Sequence, residues 1–337
     1  MPSTQYFVFA LVDEFTHLAF SSAVEPLRIA NMVSKQELYR WSLASEDGAA
    51  ARASNGLCTE VQHSFAALPP SDWIFVVSGI NLRQKRLQGL IAALRRARTC
   101  GTPIGAVCSA SYVLAKAGFL DGQRAATHWE YHDGFREEFP EVELVNSVFV
   151  TNDKFVTASG GTAAADLMLH LIERDHGYDL AVAVADQMVY NAVRDSGAAQ
   201  RVSIQSRQGI RNAHLVQAVE LMRGNLHTPL SPGQIAEQLG ISTRQLERLF
   251  DRYLGTSPKK YYMEMRLERA HHLLLQTESG ITEIALACGF VDTGHFGRVY
   301  RTRFGVSPAR QRARGTEGLS RAEPVQPRPF VQRWQRS

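Results

Sequence analysis

The sequence predicts two folds in succession: an α/β domain on a parallel sheet, then an all-α domain carrying two helix-turn-helix units. Three observations carry this. Apolar strand-like runs alternate with helical stretches over residues 5–193, the pattern of a layered α/β sheet. The stretch Leu230 to Pro308 repeats one pattern twice. The charge also divides along the chain, with a net −4 over residues 1–210, +6 over 211–315 and +2 over 316–337. A basic excess confined to the duplicated stretch is the footprint of a polyanionic partner.

Residues 5–12 form a near-continuous apolar run, as a strand buried on both faces requires. A helix is expected over about 17–33. Strands are expected at Tyr39 to Ala44, at Trp73 to Val77 and at Pro103 to Val107. Between the last two, a helix over about 83–98 places Leu87, Leu90, Ile91 and Leu94 on one face and ends in arginines that suit the helix dipole. A further helix starts at Ser109. Val148 to Val150 and Phe155 to Thr157 read as a hairpin, and residues 162–193 as helix. The domain expected is therefore 1–194, with a linker at 195–212 where the apolar period collapses. The all-α domain spans 213–314, and 315–337, rich in Gly, Pro, Arg and Gln, reads as a disordered basic tail.

In the duplicated stretch, Ile235 to Gly240 and Ile284 to Gly289 each read as a short helix ending at glycine, which accepts the φ > 0 of a sharp exit. The copies are offset by 49 residues before the turn and 50 after it. The second helix of each copy opens on capping residues, Ser242-Thr243 or Asp292-Thr293, and turns Leu246, Leu249 and Phe250, or Phe296, Val299 and Tyr300, inward. Thr243, Arg244, Gln245 and Arg248 then face outward, as do Thr293, His295 and Arg298, where they can reach base edges in a major groove. Lys259, Arg301 and Arg303 are assigned to phosphates. Between the copies, Ser257-Pro258 starts a helix to about Gln276, roughly 28 Å long. A rod of that length suits two readers one duplex turn (~34 Å) apart.

Residues 215–312 resemble the AraC/XylS DNA-binding domain throughout, on the run Ile284 to Phe290, on His295-Phe296 and Tyr300-Arg301, and on Phe304 to Pro308. Gly294 and Gly297 depart from it, since the family more often carries Ser there.

The strand at 104–107 leads directly into Cys108-Ser109-Ala110-Ser111 and a helix, the elbow position of a nucleophile. With Ala117 to Gly122, Thr127 to Glu130 and Ser159-Gly160-Gly161, residues 5–193 resemble the PfpI-like branch of the class I glutamine amidotransferase fold, which implies a flavodoxin-like sheet. Hydrolytic members carry His after the cysteine and an acid in the first helix; here Ser109 and Ala19 stand there. Catalytic residues are therefore assigned to none, and a cysteine-dependent amidase or hydrolase fused to a DNA-binding domain is the alternative. Together the halves resemble the GlxA subfamily of AraC-type regulators. Ala23 to Asn31, Glu37 to Trp41 and Ala53 to Gly56 look like regulators of carnitine, glycine betaine or arginine catabolism. The resemblance implies an activator responsive to a small amine or amino acid, a homodimer through the first domain, and RNA polymerase as a partner.

Around the elbow, Glu14, Phe15, Ser78, Gly79, Cys108, Ser109, His128, Trp129 and Glu130 are the expected ligand set. An aromatic face beside a carboxylate suits an ammonium or guanidinium group, and a helix start suits a carboxylate. Cys58, Cys100, Cys108 and Cys288 have neither metal spacing nor a disulfide framework. No metal or cofactor is expected, nor a membrane partner. The start of the chain does not read as a secretion signal, so the cytoplasm is the expected compartment.

Overall fold

The computed structural model describes residues 4–152, 154–191, 193–200 and 212–317. The first domain contains strands β1 (Gln5–Leu11), β2 (Tyr39–Ser45), β3 (Ala51–Arg52), β4 (Cys58–Thr59), β5 (His63–Ser64), β6 (Trp73–Val77), β7 (Ile104–Val107), β8 (Arg124–Ala125), β9 (Glu143–Leu144), β10 (Phe149–Thr151) and β11 (Phe155–Ala158). Its helices are α1 (His17–Ser34), α2 (Gln88–Thr99), α3 (Ser111–Lys116), α4 (His132–Glu138), α5 (Ala163–His176) and α6 (Tyr178–Gln187).

Seven strands form the main sheet, in the order β10-β11-β7-β6-β1-β2-β5. All neighbours run parallel except the β10–β11 hairpin. This is the flavodoxin-like sheet that the resemblance implied. Strand period sorts β1 between the two faces. Phe7, Phe9 and Leu11 join a cluster with residues of α1, α5 and α6, while Val8, Ala10 and Val12 join one with residues of α2 and α3. The first cluster is aromatic: Phe7 stacks on Phe75 with ring centroids 5.7 Å apart and meets Tyr39 edge-on at 5.6 Å. That packing dictates Gly105 on β7, because a Cβ there would lie 2.2 Å from the Phe75 ring.

The structure corrects several boundaries. The helix expected at 83–98 starts late: a 3-10 turn covers Leu82–Gln84, and α2 begins at Gln88. The helix expected from Ser109 opens as a 3-10 turn over Cys108–Ala110 before α3. The helix expected over 162–193 breaks at Gly177, whose φ of 91° and ψ of 164° lie outside helical space, so two helices form. β3, β4, β5, β8 and β9 have two residues each, too short to show a period.

Residues 195–200, expected in the linker, pack on the first domain. Val148 N–H donates to the Ala198 carbonyl at 2.9 Å, and the Gln200 side-chain amide donates to the Thr127 and Ser147 carbonyls, each at 2.9 Å. Buried Asp166 holds the same region, accepting from Tyr190 Oη at 3.0 Å and pairing with the Arg194 guanidinium at 2.6 Å. Residues 201–211 of the expected linker lie outside the described residues.

The C-terminal region is helical: α7 (Ala213–Gly224), α8 (Pro232–Gln238), α9 (Thr243–Leu254), α10 (Pro258–Gln276), α11 (Ile281–Ala287), α12 (Thr293–Phe304) and α13 (Pro308–Glu317). The tail expected from 315 thus begins inside α13, and residues 318–337 lie outside the described residues. The chain forms two compact units, Met1–Asn225 with Leu230–Tyr262, and Leu226–Pro229 with Met263–Ser337.

Candidate nucleic-acid interface and elbow site

In the first copy, α8 starts with a reciprocal cap: Ser231 Oγ accepts the Gln234 N–H, and the Gln234 side-chain oxygen accepts the Ser231 N–H. Gly240 takes a φ of 65° in the turn. α9 then repeats the device with Ser242 and Gln245, at 3.2 and 2.9 Å. Leu246 and Phe250 are fully buried, and Thr243, Arg244, Gln245 and Arg248 are exposed, the expected division of faces. The cap nevertheless commits the Gln245 side-chain oxygen as an acceptor, so this reader reaches out with donors, the Gln245 amide NH2 and the longer Arg244 and Arg248. Lys259 is exposed in the first turn of α10.

The second copy is anchored on its own side of the boundary within α10. Leu267, Ala270, Leu273 and Leu274 pack with Ile284, Phe290, Phe296 and Tyr300. The Arg266 guanidinium donates to the Cys288 and Gly289 carbonyls at 2.7 and 2.6 Å and lies 4.1 Å over the Phe290 ring, tying down the end of α11. Half-buried His271 hydrogen-bonds Tyr300 Oη at 2.6 Å and stacks on Phe304 at 4.5 Å. Burial, aided by His272 and Arg303, lowers its pKa to about 4, so it is neutral at pH 7. Asp292 caps α12, accepting from the Gly294 N–H at 2.8 Å. Thr293, His295, Arg298 and Arg301 are exposed. Arg303 is the correction: expected on phosphate, it is held by Glu264, with Glu268 at 3.9 Å, and braces α12 against α10.

At the elbow, Cys108 has a φ of 68° between β7 and the 3-10 turn, and its side chain is buried. A non-glycine residue in this region is strained, and the surroundings hold it there. The Cys108 carbonyl accepts from Thr127 Oγ1 at 3.1 Å and the His128 N–H at 3.3 Å, and Sγ meets Thr16 Oγ1 at 3.6 Å. Burial pushes the thiol up, against smaller downward pulls from Thr16 and the Ser109 amide.

The structure divides the remaining expected ligand residues into two groups. Ser78, Gly79 and Ser109 brace the interior: Ser78 Oγ and Ser109 Oγ are 2.7 Å apart, and Ser109 Oγ donates to the Gly79 carbonyl at 2.6 Å. Phe15 is fully buried, edge-on to Phe20 at 5.7 Å. Glu14, His128, Trp129 and Glu130 are partly exposed. His128 and Trp129 rings lie 5.4 Å apart, and His128 Nδ1 is 3.6 Å from a Glu130 carboxylate oxygen. Glu14 pairs with Lys85 at 2.6 Å. Sequence reasoning missed Tyr131, whose hydroxyl donates to the Gly79 carbonyl at 2.9 Å. Burial first, then the charges of Cys108, Glu130 and Glu14, push this phenol up. Its sequence signal was weak, since it follows the quoted Thr127 to Glu130 run directly without a motif of its own.

Comparison with known proteins supports both halves. The DJ-1/PfpI family matches residues 7–174, and a helix-turn-helix domain matches residues 235–314. The HTH-type transcriptional regulator GbdR of Pseudomonas aeruginosa is 39% identical, over 96% of this chain and 87% of the relative. CdhR of the same species is 39% identical over 92% of each. GlxA of Rhizobium meliloti is 32% identical over 91% of this chain and 95% of the relative. A solved AraC family transcriptional regulator from Pseudomonas putida superposes with a TM-score of 0.51 at 25% identity, covering 55% of this chain and 99% of that one.

Proposed function

The chain belongs to the AraC-family transcriptional regulators that join a DJ-1/PfpI domain to an AraC-type helix-turn-helix domain, and from that membership we propose that it activates transcription when a small cationic amine or amino acid binds at the elbow. Carnitine, glycine betaine and arginine are the candidate class. The observation that carries the ligand assignment is electrostatic: the Glu14 and Glu130 carboxylates both raise the pKa of half-buried Tyr131, beside Cys108, a local negative field that Lys85 offsets in part at Glu14. Such a field attracts an ammonium or guanidinium group, and partly exposed Trp129 offers it an aromatic face. The same field disfavours a thiolate, and a thiol pushed up by burial is a poor nucleophile, which supports a sensing role over the hydrolase alternative. DNA engages through α9 and α12, and the protein acts in the cytoplasm as a homodimer through its first domain with RNA polymerase as partner.

Titration calorimetry of the wild type and Trp129→Ala against carnitine, glycine betaine, dimethylglycine and arginine tests the effector class. The wild type is expected to bind one of them and the variant to lose at least tenfold in affinity. No heat from any amine with the wild type removes the proposal. Cys108→Ala is expected to preserve amine-dependent output from a reporter, whereas amide hydrolysis abolished by that substitution would favour the alternative.

A further inference from the structure

The two turns are not identical, and the difference has a direction. Gly240 matches Gly289, and the Ile241 N–H to Ala236 carbonyl bond matches the Phe290 N–H to Ala285 carbonyl bond. The caps that follow are Ser242 and Asp292. One residue of the second turn therefore has no counterpart in the first, and it is Val291. Its side chain is 95% exposed, the highest exposure among the large hydrophobics of the described residues, at the leading end of α12.

The face of α12 behind it carries two glycines, with the Asp292 carboxylate oxygen 3.1 Å from where a Cβ on Gly294 would lie. Gly294 is exposed, and a Cβ added at Gly297 would meet nothing within 4 Å. Glycine weakens a helix relative to alanine, and at Gly297 no packing requires one. Thr293, His295, Arg298 and Arg301 flank this surface, all exposed. A helix that lacks a Cβ at two positions of this surface can lie closer to a groove floor there, and thymine is the base that presents a methyl group in the major groove.

We infer that Val291 is a specificity-determining residue of the second reader, contacting a thymine methyl in the major groove, with Gly294 and Gly297 permitting the close approach. This reader selects by apolar fit at its tip, while the first selects through Arg244 and Arg248. The inference concerns DNA alone and stands whether or not an amine binds at the elbow.

The test begins with duplexes enriched by the full chain from a random library. Each thymine of the enriched site is then replaced singly by deoxyuridine, which removes only the methyl group, and affinity is read by fluorescence anisotropy. For the wild type, one replacement is expected to weaken binding about fourfold, the loss of one methyl from apolar contact. Val291→Ser is expected to bind the thymine and uracil duplexes equally at that position, while keeping its response to base changes elsewhere. Gly297→Ala is expected to raise thermal stability yet lower DNA affinity severalfold. The inference is overturned if no deoxyuridine position distinguishes the wild type from Val291→Ser. It is equally overturned if Val291→Ser leaves DNA affinity intact and lowers only transcription by added RNA polymerase, since Val291 would then face polymerase. Failure to enrich any duplex would overturn it together with the DNA assignment of α12.

Discussion

Gly160 lies against Cys108 so closely that a Cβ on the glycine would fall 2.7 Å from the cysteine Cβ. Gly160 also has a φ of 89°, where a side chain is strained in any surroundings. Gly160→Ala is therefore expected to destabilise the first domain by ~2–4 kcal/mol. Thermal denaturation followed by circular dichroism would show the fall, and an unchanged midpoint would mean that the elbow relaxes freely.

The thiols separate by environment. Cys58 and Cys100 are exposed, while Cys108 and Cys288 are buried. Iodoacetamide at pH 8 is expected to modify the first pair in the native protein and the second pair only after unfolding, as read by mass spectrometry. The sign of the linkage follows from the raised Cys108 pKa. The unfolded thiol ionises near its ordinary value of 9.0 while the folded thiol keeps its proton, so this group lowers stability as pH rises above that value.

Two histidines, buried His132 and half-buried His271, set an acid limit. Burial first, then Arg136, lowers the His132 pKa to about 4, and His271 reaches a similar value. Between about pH 6.5 and 4 the unfolded chain binds protons that the folded chain refuses, so stability falls as pH drops through that window. His132→Gln is expected to flatten part of this acid limb in denaturant titrations at pH 7 and pH 5. The wild-type His132 ring should titrate near pH 4 by NMR.

Asp166 and Arg194 form the buried clasp of the first domain, with the Asp166 side chain fully shielded. Arg194→Ala leaves that carboxylate without its counter-charge and is expected to cost ~3 kcal/mol of stability. Denaturant unfolding at neutral pH checks this, with a double variant also carrying Asp166→Asn expected to recover part of the loss.

Arg301 and Arg303 are two residues apart, yet one is exposed and the other is held by Glu264. Arg301→Ala is expected to weaken binding to all duplexes and to reduce the salt slope by about one unit. Arg303→Ala should lower thermal stability and leave the slope unchanged. Anisotropy measured across a salt series distinguishes them, and matching slopes for the two variants would undo the distinction.

The fold was legible where the physics is periodic and local. The uninterrupted apolar run of β1 identified a strand shielded on both faces, and the Ser242 and Asp292 caps marked where α9 and α12 begin. Helix boundaries were missed at Gly177 and at two 3-10 turns, and the other failures are contacts between residues distant in sequence. Nothing local to Arg303 announces Glu264, 39 positions away. Residues 195–200 read as linker because they lack an apolar period, yet Gln200 is fixed by carbonyls 73 and 53 positions away. Tyr131 escaped notice because its partner, the Gly79 carbonyl, is a backbone atom, and backbone acceptors leave no trace in side-chain spacing.

The position of Gln200 has a mechanical meaning. Its amide grips the Thr127 carbonyl, and the Thr127 hydroxyl grips the Cys108 carbonyl. Thr127 thus links Gln200 to the elbow through two hydrogen bonds. Replacing Gln200, the last described residue before position 201, therefore removes a support of the strained cysteine as well as of its own segment.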